Sequence, residues 1–67
     1  MPAGTVKWFN VQKGCGFIRP EGGGKGVFVH ISAVQAAGLN GLEEGQRLAF
    51  EVVNQRGKEA AANLKPA

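Results

Sequence analysis

The chain contains one cysteine, one histidine and no aspartate. A single thiol cannot form an internal disulfide, so a reducing, cytoplasmic setting is the expectation. The lone histidine, His30, has no second ligand on its own segment, which leaves no closed metal site within one chain. Ser32 stands two residues from His30, but no third group follows to orient a base. No enzyme, metal or cofactor is therefore expected. Also missing are an apolar run of membrane-spanning length, a hydrophobic signal core near the N-terminus and an Asn-x-Ser/Thr sequon, so neither a membrane span nor a secretory route is expected. No segment repeats, and no long apolar pattern has helical period. Three prolines against eleven glycines favour short strands joined by tight turns.

The densest glycine run, Glu21-Gly22-Gly23-Gly24-Lys25-Gly26, is not a phosphate loop. That loop needs Gly-x4-Gly-Lys-Ser/Thr opening a helix, and here the lysine is followed by glycine and a strand-like segment. The spacing of a dinucleotide fingerprint is absent too. The run reads as a hairpin turn, and no small-molecule substrate is expected.

At 67 residues the chain is one domain, residues 1–67. A domain of this size buries only about 60% of its unfolded surface, which suits an economical closed sheet. Period-two alternation marks strands at residues 4–10, 15–19, 27–31, 47–54 and 59–64. In the fourth, Leu48, Phe50 and Val52 are expected inward; in the fifth, Ala62 and Leu64. Ser32 is the expected cap of one short helical turn, with Val34 plugging the interior. The first strand alternates poorly. A bulge there would let Val6 point inward while Lys7 and Trp8 both reach solvent, with Phe9 partly buried. The layout is all-β: a five-stranded antiparallel Greek-key barrel of the OB type.

One face of this sheet carries rings where water-facing residues belong. Alternation puts Cys15 and Phe17 on one side of the second strand, and Phe28 and His30 on one side of the third. Exposed aromatics suit a ligand with flat apolar faces joined by charge, as in unpaired nucleobases. Gly14 and Gly16 would leave room for a base lying across the strand. Residues 1–30 carry Lys7, Lys13, Arg19 and Lys25 against Glu21 alone, so the net charge of +3 sits in the half that holds most of the rings. Basic and aromatic residues interleaved on a sheet point to single-stranded nucleic acid. The competing reading is a barrel whose aromatic face docks a protein. Salt separates the two, because nucleic-acid affinity falls as ionic strength rises.

The segments Val6-Lys7-Trp8-Phe9-Asn10, Lys13-Gly14-Cys15-Gly16-Phe17-Ile18 and Val27-Phe28-Val29-His30-Ile31-Ser32-Ala33 closely resemble the bacterial cold-shock domain. Leu42-Glu43-Glu44-Gly45-Gln46 and Ala61-Ala62-Asn63-Leu64 resemble its later landmarks. The resemblance implies a cytoplasmic barrel that binds single-stranded RNA and DNA with little sequence preference. It implies an RNA chaperone that prevents or melts secondary structure without ATP, and a monomer is expected. Carried over by position, the stacking platform maps to Trp8, Phe17, Phe28 and His30, with Lys7, Phe9, Lys13 and Arg56 at its edges. The chain departs from the family pattern at Cys15, where Phe or Tyr is usual, at Ile31 and Leu39, often aromatic, and at Gly26, often Asp. Cys15 is read as a small apolar filler in an aromatic's seat rather than a redox thiol. Losing that ring implies weaker binding or a shorter footprint.

Overall fold

The computed structural model describes residues 2–67. Five strands and one short helix follow in the order β1 (Ala3–Asn10), β2 (Cys15–Pro20), β3 (Val27–His30), α1 (Ile31–Ala36), β4 (Arg47–Gln55) and β5 (Lys58–Pro66). The strands close into a barrel with neighbours in the order β1-β2-β3-β5-β4. Four junctions are antiparallel, and β3 meets β5 in parallel at Phe28 and Ala60. A ring of five strands cannot alternate direction all the way round, so one parallel junction is unavoidable. Val6, Ile18, Val29, Leu48 and Phe50 fill the interior, and Val34 of α1 is fully buried among them, as its role of plug requires.

The expected bulge in β1 is present. Register shifts between Val6 and Trp8, so Val6 is buried while Lys7 and Trp8 are exposed. A second bulge, which the pattern did not announce, corrects the interior facing of the last strand. Between the pairs Ala49↔Lys65 and Glu51↔Ala62, β4 advances two residues and β5 three. Asn63 takes up the extra residue with φ 50, a left-handed conformation that asparagine tolerates. Its side-chain amide donates to the Glu51 carboxylate. The inward pair is therefore Ala61 and Leu64, not Ala62 and Leu64. Val52, expected in the core, is 40% exposed. β1 flanks β4 only along Arg47–Ala49, so from there β4 has β5 alone and the inner side of Val52 is uncovered.

Two local expectations change as well. The helix cap is His30, not Ser32: His30 has extended φ/ψ and its Nδ1 accepts from the Ser32 amide at 3.1 Å. Ile31 accordingly opens α1 instead of ending β3, half-buried against the core. The space offered by Gly16 serves packing rather than a base. A Cβ there would lie 2.4 Å from the Trp8 carbonyl oxygen and 2.7 Å from the Phe9 ring. Only glycine lets β1 and β2 approach so closely at the bulge.

Gly16→Ala should therefore destabilise the fold by about 1–3 kcal/mol, because the obstructing atoms include backbone that cannot swing aside. Gly22→Ala, whose Cβ meets nothing within 4 Å, should be near neutral. Thermal unfolding of the two variants tests this, and equal melting temperatures would refute the close-approach account.

Candidate nucleic-acid interface

The bulge decides which rings meet. It brings Trp8 into register with Phe17, and Phe17 lies opposite Phe28 on β3. The Trp8 and Phe17 centroids are 5.5 Å apart with planes tilted by 58°; Phe17 and Phe28 are 6.1 Å apart and close to edge-on at 78°. Both separations fall in the range where aromatic pairs attract. The outcome is a ladder of three rings across three strands. Trp8 stays 37% exposed, and Phe17 and Phe28 are half-buried.

One step along the strands runs a second row of Asn10, Cys15 and His30. His30 is exposed, and its ring is oriented by the capping bond and by the Ser32 hydroxyl 2.9 Å from Nδ1. Cys15 is half-buried in the middle of this row, so the gap in the platform lies beside His30.

Cationic groups border the ladder on both sides. Beyond Trp8 and Phe17 is a groove of about 400 Å³ walled by Lys7 and Arg19. Beyond Phe28 is a groove of about 630 Å³ walled by Arg56 and Lys58. No carboxylate lines either one. Arg56 is held at the tip of the β4–β5 hairpin, where it and Gly57 both have positive φ and Asn54 Oδ1 accepts from the Gly57 amide at 3.0 Å.

The structure thus gathers Lys7, Trp8, Phe17, Phe28, His30 and Arg56 on one face. Lys13 is exposed in the β1–β2 turn next to the Cys15 row, its amide donating to Asn10 Oδ1 at 3.0 Å. Phe9 does not join them: the strand has resumed alternation after the bulge, and its ring packs half-buried against the core. Arg19 and Lys58 were missed. Arg19 follows Cys15 and Phe17 at period two, so alternation alone places it on the ring side. Lys58 needed the hairpin register, in which it pairs with Gln55. Among the described residues no group of three or more His, Cys, Asp or Glu side chains could hold a metal, and no helix is long and apolar enough to cross a membrane.

Comparison with known proteins gives a consistent result. Residues 2–67 match the model of the 'Cold-shock' DNA-binding domain. A probable cold shock protein of Sinorhizobium fredii is 55% identical over 67 residues, covering 97% of each chain. A cold shock-like protein of Rickettsia bellii is 58% identical over 62 residues, 92% of this chain and 89% of the relative. A cold shock-like protein of Escherichia coli is 56% identical over 61 residues, 91% and 88% of the respective chains.

Since Phe17 shields one side of Trp8, Phe17→Ala should shift Trp8 emission to longer wavelength and raise its quenching by acrylamide. An unchanged spectrum would show that the two rings do not pack in solution.

Proposed function

We propose, since this chain belongs to the cold-shock DNA-binding domain family, that the ladder Trp8–Phe17–Phe28 is the surface on which it works. The protein binds nucleic acid and acts as an RNA chaperone. The observation that carries the assignment of the face is the register of three rings across three strands with cations on either side.

Single-stranded RNA and DNA are the ligands this surface suits. Each base laid on a ring contributes about 1–3 kcal/mol and is accepted whatever its identity, because every base has a π-face. Lys7 and Arg19 on one side, and Arg56 and Lys58 on the other, meet the phosphates; Lys13 and His30 extend the surface along the second row. A duplex keeps its bases paired and stacked internally, so it has nothing to offer the rings. Binding only the unpaired form shifts the pairing equilibrium by mass action, which melts or prevents secondary structure without ATP. The protein does this as a cytoplasmic monomer, with no catalytic group, metal or cofactor.

Titration with a short single-stranded oligonucleotide should quench Trp8 fluorescence strongly, and a duplex of the same length should not. Phe28→Ala should weaken binding by roughly tenfold to a hundredfold, the value of one stacked base. Arg56→Gln should weaken it less and flatten the log–log salt dependence by about 0.7. Absence of both quenching and binding, the latter in an independent assay, would overturn the proposal.

Cys15→Phe should tighten binding by supplying a ring beside His30, by at most about 1–3 kcal/mol. An affinity equal to that of the unsubstituted protein would mean that no base reaches the second row.

A further inference from the structure

The groove beside Trp8 does not end at its basic wall. Lys7 and Arg19 also line a second depression of about 330 Å³, whose far side is formed by Thr5, Glu44 and Gly45. The two hollows share these cations as a common ridge. Lys7 stands on the ridge because it is the bulged residue, absent from the register between β1 and β2. Arg19 stands there because it pairs with Thr5. Neither forms an ion pair among the described residues, whereas Arg47, the partner of Thr5 on the other side, is taken up by Glu21. The far wall is fixed: the Gly45 amide donates to the Val6 carbonyl and the Val6 amide to the Gln46 carbonyl, each at 2.8 Å.

We propose that a bound single strand continues past Trp8 over β1, its backbone crossing the ridge between Lys7 and Arg19, so that one further nucleotide lodges in the depression bounded by Thr5, Gly45 and Glu44. This rests on the stacking reading of the ring ladder. The ridge supplies two cations without an ion pair among the described residues where the sugar–phosphate chain must pass, and the hollow beyond it shares both of them with the ring groove. Glu44 sets the limit. A carboxylate at the far wall repels the next phosphate, so the track ends after that nucleotide.

The test is a series of single-stranded oligothymidylates of increasing length, with affinity and salt dependence measured for each. Arg19→Gln should weaken binding of every oligomer that reaches Trp8, with roughly a further threefold loss and a further reduction of the salt slope by about 0.7 for oligomers long enough to leave the ring face. Glu44→Lys should tighten binding of those same oligomers by a similar factor. Glu43→Lys, with the same change in net charge on an exposed neighbour outside the depression, should not. Equal effects of Arg19→Gln at every length would overturn the inference, since Arg19 would then act only in the Trp8 groove. Equal effects of the two glutamate reversals would also overturn it, leaving a long-range field as their cause. Loss of the length effect while Phe28→Ala still weakens binding leaves the stacking reading standing. No binding of any single strand by the unsubstituted protein removes both.

Discussion

An unpaired residue in β1, Lys7, sits between two stretches of pairing with β2 and sets the facing of everything after it. Without it, Lys7 would oppose Phe17, and Trp8 would oppose Gly16 on the inner face. An indole would then compete for space with Phe50 in a barrel of five short strands. With it, the indole stands outside in register with Phe17, and Phe9 turns inward to take the place against the core. The bulge is held from both sides. Gly16 lets β2 come up against the Trp8 carbonyl, and the segment after Glu44 hydrogen-bonds both polar groups of Val6. The same device that exposes Trp8 also throws Lys7 outward beside it, so ring and cation come as a pair.

Putting rings outside has a cost in a small domain. The fully buried core has Phe50 as its single aromatic side chain, and valine, leucine and isoleucine supply the rest. With only about 60% of the unfolded surface buried, such a barrel has little stability in reserve. The exposed rings recover part of what burial would have given by packing against one another across the strands, Phe17 touching a neighbour on either side. Stability therefore draws on the same three side chains as the proposed binding surface, and the ladder has order before any ligand arrives.

Much of this was readable from the residues because facing in a strand follows parity. The failure of alternation at Val6-Lys7-Trp8-Phe9 announced the first bulge, since no regular strand could bury Val6 and expose both Lys7 and Trp8. The second bulge gave no such sign: Ala60, Ala61 and Ala62 are alike in size and apolarity, so nothing marks which of them turns inward, and Asn63 betrays its left-handed backbone only in the structure. Val52 obeyed the parity of Leu48 and Phe50 and still emerged, because parity gives the side of a sheet and not whether a neighbouring strand covers it. His30 was recognised as a ring but not as a cap, a role that depends on its extended backbone beside Ser32. Of the candidate site, the rings were legible and two of the five cations were not. Arg19 needed only the step from Cys15 and Phe17 carried one residue pair further, while Lys58 depends on how two strands align across a turn.

The ladder's spacing bears on why such a face works on unpaired strands. Its rings are 5.5 and 6.1 Å apart, whereas nucleotides of a strand in B-form follow one another at about 3.4 Å. A strand that places successive bases on successive rings must be stretched to nearly twice that rise. The tilts of 58° and 78° add a second condition, because the rings form no common floor on which a stack of bases could lie intact. Each base must leave its neighbour to meet its own ring. The geometry thus demands that stacking between bases be exchanged for stacking on protein, and the exchange is possible only where pairing has already been given up. Selection for the single strand then needs no contact with any base edge.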